Sequence, residues 1–346
     1  MAFKSNVLEY SKVQVDNAGK ILLDKNSFDK IISLEILNNF RACHNYPINT
    51  FQSTLRKKLS ELKIDYLVSQ RLKRTPSILL KLNRFGNMRL SQMQDLGGIR
   101  AILPTIQDVN TFLDHYKKTK FKHEKKNEKD YILEPKESGY RCYHVVYKYQ
   151  NRLNPNYDGL MIELQVRTKL QHAWAMAVET VGTFLDHSLK SSQGPDEWLA
   201  FFALVGNAFS IIEGTTPIPQ YSHYTKEQTY EEVKRETARL KIVEQLSAFS
   251  QVIQSIKTDK KQGSLHLITL DILGKGISIK TYPKQAIEEA SRDYLSEEAN
   301  VTDLNKRQVV LVSSASIESL KKAYPSYFLD TQEFLNVLTD IINFKE

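Results

Sequence analysis

A chain of 346 residues, 41% hydrophobic and 25% charged, can bury one large or two medium cores and has the make-up of a globular protein. Its formal net charge of +8 permits polyanion binding without establishing it. Two cysteines, Cys43 and Cys142, are too few for a zinc cluster or a disulfide framework.

The first twelve residues, MAFKSNVLEYSK, lack the continuous apolar core of a signal sequence. The most apolar stretch, 198–212, is too short to span a bilayer comfortably and reads as a buried helix. The expectation is a cytoplasmic protein with no membrane contact. In 1–50, Phe28, Ile31, Ile32, Leu34, Ile36 and Leu37 predict one short helix, a leader packed on the main domain. Residues 51–69 predict a second, with Phe51, Leu55, Leu59 and Leu62 on one face and Arg56, Lys57 and Lys58 opposite. Thr75 followed by Pro76 marks a helix start, and Ser77 and Lys81 share one helical face. Arg71, Lys73 and Arg74 stand just before that N-terminus, where cations and free backbone N–H groups together can hold phosphate.

Residues 98–103 predict a buried strand with Asp95 just before it, ended by Pro104. Val109, Phe112, Leu113 and Tyr116 then mark an amphipathic helix, and 117–129 reads as a lysine-dominated solvated connection. Aromatic and branched residues predict strands at 131–133 and 142–149, separated by a polar loop containing Pro135 and Gly139. After a turn at 154–159, residues 160–167 form a strand. Ile162, Leu164 and Val166 alternate there with Glu163, Gln165 and Arg167, so one face is apolar and the other carries a carboxylate, an amide and a guanidinium in a row. Alternation alone fits a solvated sheet face as well as a site. Lys136, Tyr140, Arg141 and His144, on and beside the adjoining loop, favour a site. Thr168 can cap the following helix, which carries Gln171, His172 and Trp174.

Further on, 214–224 reads as a linker and 225–256 as one long helix, with Thr225 and Gln228 at capping-box spacing. A second linker is expected at 257–264. Gly274-Lys275-Gly276 between 265–273 and 277–282 signals a hairpin. A helix at 284–299, a strand at 309–312 and helices beginning near Ser316 and Asp330 complete a small α+β module. The fold class is α/β: a mixed β-sheet flanked by helices, plus this C-terminal module. The expected divisions are a leader at 1–50, a main domain at 51–213, linker and long helix at 214–262, and the module at 263–346.

The stretch PKESGYRCYH followed by IELQVRTKLQHAWA resembles the synthetase domain of the RelA/SpoT family, whose members move pyrophosphate from ATP to a 3′-hydroxyl. The resemblance is strong over about 51–190. Cys142 stands where the family usually has Ser, and Met176-Ala177-Val178-Glu179 departs from the small members' usual continuation. The resemblance implies that Arg71, Lys73, Ser77, Lys81 and Arg100 hold ATP, with both arginines against adenine. It further implies that Asp95 and Glu163 are catalytic and ligate Mg²⁺. Lys136, Tyr140, Arg141, His144, Gln165 and Arg167 would hold the acceptor, Tyr140 by stacking on a base. No His is followed by Asp, so the metal motif of the family's alarmone hydrolases is missing. The layout resembles CapRel-like fused toxin–antitoxins of phage defence. That implies the 3′-CCA end of tRNA as acceptor, and a C-terminal module that covers the ATP site until a phage protein binds. The alternative acceptor is GDP or GTP, making the alarmone (p)ppGpp. A third reading is a non-catalytic RNA-binding module.

Overall fold

The computed structural model describes residues 7–24, 27–119, 122–184, 194–251, 255–258, 265–271, 274, 276–301, 307–313, 321 and 331–345. Three helices open the chain: α1 (Lys12–Leu23), α2 (Lys30–Cys43) and α3 (Asn45–Glu61). The leader therefore holds two helices and the start of a third, not one. Helix α1 begins on a Ser11/Gln14 capping box that the expected pattern overlooked. Helix α3 also stops earlier than expected. Lys63 takes a left-handed conformation (φ 54°), and Lys63 and Ile64 turn back to the carbonyls of Ser60 and Leu59. The next element is a strand, β1 (Leu67–Leu72), where a helix was expected.

Then come α4 (Thr75–Arg84), with proline in its first turn, β2 (Gly97–Leu103) and α5 (Ile106–Lys118). The lysine-rich stretch expected to be a connection is strand β3 (Glu124–Asp130). It is an edge strand, and its charged side chains suit an edge that must not pair further. Residues 131–133, expected as a strand, form a turn instead, with the N–H groups of Ile132 and Leu133 donating to the Asp130 side chain. Strands β4 (Tyr143–Lys148) and β5 (Met161–Thr168) follow, then α6 (Lys169–Phe184) and α7 (Asp196–Glu213).

The long helix expected at 225–256 is two, α8 (Lys226–Arg239) and α9 (Ile242–Gln251), parted where Lys241 takes φ 49°. Strand β6 (Ser255–Thr258) takes up the end of that segment and the start of the expected linker. Strands β7 (Leu265–Asp271) and β8 (Gly276–Tyr282) make the expected hairpin, and α10 (Ile287–Ala299), β9 (Arg307–Ser313) and α11 (Gln332–Ile342) close the chain. The helix expected near Ser316 lies outside the described residues.

One mixed sheet runs through the described residues in the order β3-β4-β5-β2-β1-β9-β7-β8-β6. Strands β2 and β5 are parallel, while β4 is antiparallel to β5 and β1 to β2. Strand β9 pairs with the free edge of β1, Arg71 opposite Val312, so the C-terminal strands extend the sheet. Phe51, Leu55 and Leu59 of α3 and Phe112 of α5 share one core with Ile162, Leu164 and Val166. Each such side chain removed from water stabilises by about 1.5–3 kcal/mol. A second core joins Trp174, Phe202, Phe209 and Val233 to Phe334 and Leu338 of α11. The alternation of β5 thus buries its apolar face and leaves Glu163 and Gln165 on the other.

Candidate active site

Register assembles the site. Across β2 and β5, Gly98 faces Glu163 and Arg100 faces Gln165; across β4 and β5, His144 faces Gln165. Strand β1 sets Arg71 opposite Gly98 and Ser69 opposite Arg100. The result is a cleft of about 270 Å³ lined by Ser69, Gln70, Arg71, Lys73, Asp95, Gly98, Ile99, Arg100, Lys136, Tyr140, His144, Glu163, Gln165 and Arg167.

Its two carboxylates are held differently. Asp95 receives Lys73 Nζ on Oδ2 and Lys81 Nζ on Oδ1, each at 2.9 Å. Burial would raise its pKa, but the two ammonium groups outweigh it and hold the carboxyl below its ordinary value. Glu163 meets His144 Nδ1 at 3.0 Å on Oε1 and accepts from Gln165 Nε2 at 2.9 Å on Oε2. Burial opposes ionisation here too and is overcome by the imidazole, so Glu163 stays charged at neutral pH. Tyr140 Oη lies 2.8 Å from His144 Nε2, so the ring bridges phenol and carboxylate. Burial pushes the Tyr140 phenol up to about 12.

The loop bearing Lys136 and Tyr140 is pinned from below. Gly139 has φ 90°, and a Cβ there would stand 3.0 Å from the Phe202 carbonyl and 3.1 Å from the Trp174 ring. Gly206, one turn further along α7, comes equally close to the Gly139 backbone. Trp174 Nε1 donates to Phe202 O at 2.9 Å, which ties α6 to α7 beneath the loop. Lys136 Nζ lies 4.7 Å from the Tyr131 ring centre and 5.2 Å from that of Tyr140.

Ten of the residues expected from sequence line this cleft: Arg71, Lys73, Asp95, Arg100, Lys136, Tyr140, His144, Glu163, Gln165 and Arg167. Lys81 joins them through Asp95. Ser77 lies in the first turn of α4 outside the lining, and Arg141 does not line it either. Arg141 is 3% exposed, and burial lowers its pKa to about 10 against the opposing charge of Glu213. Arg167 is 1% exposed; burial, with Arg100 adding repulsion, lowers it to about 9. One of its Nη atoms contacts His172 Nδ1, while its Nε has no hydrogen-bond partner among the described residues.

Sequence reasoning missed Glu213, which accepts from Thr168 Oγ1 and Gln171 Nε2 and braces the β5–α6 junction. No local pattern pointed to it, 45 residues beyond Thr168. It also missed what fills the N-terminus of α4. The Glu298 carboxylate of α10 accepts Thr75 N–H and Thr75 Oγ1, each at 3.0 Å, where a phosphate was expected.

Residues 70–181 match the family model described as "Region found in RelA / SpoT proteins", so the chain carries a RelA/SpoT region. Among curated proteins, it is 32% identical over 111 residues to GTP pyrophosphokinase YjbM of Bacillus subtilis (strain 168), which covers 31% of this chain and 52% of that protein. It is 26% identical over 160 residues to a probable guanosine-3′,5′-bis(diphosphate) 3′-pyrophosphohydrolase of Mycoplasma pneumoniae, covering 46% of this chain and 20% of that one. The chain thus spans about half the length of one curated relative and a fifth of the other. Small alarmone synthetase 1 from Bacillus subtilis aligns at a TM-score of 0.44 and 22% identity, over 54% of this chain and 93% of that chain. A GTP pyrophosphokinase family protein from Streptococcus pneumoniae aligns at 0.41 and 25%, over 49% and 86%. Among the described residues no helix is long and apolar enough to cross a membrane.

Proposed function

We propose that this chain is a pyrophosphotransferase. The 3′-oxygen of an acceptor attacks the β-phosphorus of ATP, the bond from that phosphorus to the α,β-bridging oxygen breaks, and AMP leaves. The observation that carries this reading is one cleft, in the matched segment, where two ionised carboxylates are ringed by Arg71, Lys73, Lys81, Arg100, Lys136 and Arg167. Phosphoryl chemistry asks mainly for positioning and charge neutralisation, and such a ring supplies both. Arg71 and Arg100 hold the adenine, Lys73 and Lys81 the phosphates, and the buried Arg167 adds positive charge beside them. Glu163 accepts the hydroxyl proton, and the imidazole beside it holds the carboxylate in place.

Mg²⁺ takes oxygen ligands and is usually bound by one or two carboxylates completed by substrate phosphates. Asp95 and Glu163 fit that donor set. Among the described residues no group of three or more His, Cys, Asp or Glu makes a self-sufficient metal site. When bound, the ion would neutralise charge on the donor's phosphate oxygens.

The leading acceptor is the 3′-CCA end of tRNA. A groove of about 960 Å³, lined among others by Lys12, Arg89, Lys126 and Lys148, supports it. Met161 of that groove lies two residues from Glu163 on the same face of β5, and Gln94 precedes Asp95. A polynucleotide whose 3′ end reached Glu163 could lay its backbone there. The opposing acids are Asp16, which accepts Ser91 N–H at 2.8 Å, and Glu124, which pairs with Lys126 and Lys148. GDP or GTP is the second reading, supported by the curated relative named as a GTP pyrophosphokinase. In the leading reading residues 263–346 restrain the transferase as an antitoxin-like module, relieved by a phage protein. Support for it is the seat of β9 beside Arg71.

The test offers γ-labelled ATP with GDP, GTP or deacylated tRNA in parallel. Label on tRNA, falling steeply with salt, is expected. Label only on GDP or GTP would make the protein an alarmone synthetase. Glu163→Gln should lower AMP release by about a hundredfold or more without lowering the melting temperature. Undiminished release would remove Glu163 from the mechanism.

A further inference from the structure

The carboxylate expected to bind a metal is already paired within the protein. Both oxygens of Asp95 carry an ammonium group at 2.9 Å, and the three side chains are only 19–28% exposed. Glu163, the other carboxylate of the cleft, is likewise taken up by His144 and Gln165. A divalent ion approaching Asp95 meets two ammonium groups at contact with its oxygens, and like charges repel. Polyphosphate must compete with Asp95 for the charge of Lys73 and Lys81.

We infer that Lys73 and Lys81 are exchangeable counter-ions of Asp95, so that nucleotide and divalent cation enter this cleft as a coupled pair. Each ligand removes what blocks the other: phosphate draws the two ammonium groups off the carboxylate, and the cation replaces them on it. In the empty cleft Asp95 is neutralised by lysine; in the filled cleft it is neutralised by the metal, and the lysines neutralise phosphate. The coupling is reciprocal, as any linkage between two binding events must be. It also keeps the cleft from collecting cations or phosphate alone. The inference rests on ATP being the donor in this cleft and adds to it the order in which the site can be filled.

The test uses the full chain and needs no turnover. Binding of Mn²⁺ alone is followed by the loss of the free-ion electron paramagnetic resonance signal. Binding of ATP alone is followed by calorimetry in EDTA. The parent should bind each alone weakly. Lys81→Met, which strips one ammonium from Asp95, should bind Mn²⁺ alone about tenfold more tightly, a typical coupling for linked sites. Adding Asp95→Asn to it should abolish that gain, which places the ion on Asp95. Asp95→Asn by itself should bind ATP in EDTA more tightly than the parent, about fivefold or more, because it frees both lysines. A residue that served only the fold, or only as a metal ligand, would not improve metal-free ATP binding when removed. Melting curves verify that each variant is folded, and Lys73→Met serves in place of Lys81→Met if the latter melts early. Equal Mn²⁺ affinity in parent and lysine variant, or no gain in metal-free ATP binding by Asp95→Asn, overturns the exchange. If Mn²⁺ alone responds as expected but no form binds ATP with or without metal, the donor assignment fails and the nucleotide half of the exchange fails with it.

Discussion

Single side chains here are governed by what surrounds them more than by their type. His144 and His44 make the contrast. Burial disfavours the charged ring in both, yet beside the Tyr140 hydroxyl and the Glu163 carboxylate the His144 ring is driven well above its ordinary pKa. His44 is 1% exposed, and its Nδ1 lies 2.9 Å from the Phe40 carbonyl, so that nitrogen donates. Burial, only partly offset by backbone hydrogen bonds, lowers its pKa to about 4. The unfolded chain then takes up a proton near pH 6.5 that the folded chain refuses until about pH 4. Stability must fall as pH drops through that window, by about 3 kcal/mol at its acid end. Thermal melts between pH 7 and pH 4 should show this loss, and His44→Gln should flatten the curve. A slope unchanged by the substitution would mean that another group carries it.

At the level of elements, the loop bearing Lys136 and Tyr140 owes its position to two backbones in contact. A Cβ on Gly206 would stand 2.7 Å from Gly139 Cα and 2.9 Å from its carbonyl oxygen, so helix and loop cannot both stay where they are. Gly206→Ala gains about 1 kcal/mol in helix propensity. Overpacking against backbone costs about 1–3 kcal/mol and should outweigh it. The expected outcome is a lower melting temperature and a raised KM for the acceptor, with the KM for ATP unchanged, because the shift falls on Lys136 and Tyr140 rather than on α4. An equal rise in both would place the loop's influence on the donor as well. Element boundaries were hardest to read where lysine did glycine's work. Lys63 and Lys241 both hold left-handed conformations that end helices. An L-residue with a long side chain is not expected there, so the patterns at 51–69 and 225–256 ran on. Strand β3 was missed for the opposite reason: an edge strand exposed to water has no need of apolar alternation.

Across the whole molecule, helix α10 is joined to α2 and α4 by more than chain connectivity. Arg41 is 2% exposed and pairs with Glu298 at 3.2 Å, 257 residues away in sequence. The same carboxylate caps Thr75, and Tyr294 Oη reaches it too. Removing one member of a buried pair leaves an uncompensated charge and typically costs roughly 3–5 kcal/mol. Glu298→Ala should therefore lower the melting temperature sharply. Combining it with Arg41→Met should recover much of the loss, since the stranded charge is gone. A double variant no more stable than Glu298→Ala alone would show that capping of Thr75, not the ion pair, carries the effect. Ending the chain before β6 would strand Arg41 as well and uncover the edge of β1, so loss of function in such a truncation must be read beside its melting curve.

What the amino-acid order determined by itself is what depends on near neighbours. The alternation of Ile162, Leu164 and Val166 with Glu163, Gln165 and Arg167 already divided core from cleft, because side-chain direction in a strand follows period two whatever lies around it. The Pro76 helix start, the Thr168 cap and the hairpin around Gly274 were legible for the same reason, and the two motifs of the synthetase resemblance named Lys136, Tyr140, His144, Glu163, Gln165 and Arg167 of the cleft's lining. Tertiary packing alone decided the rest. It buried Arg141 outside the cleft lining, closed Lys73 and Lys81 onto Asp95, and set Glu298 at the helix end where phosphate was expected. Each of these depends on groups from different elements, and its geometry exists only once the sheet order has brought those elements together.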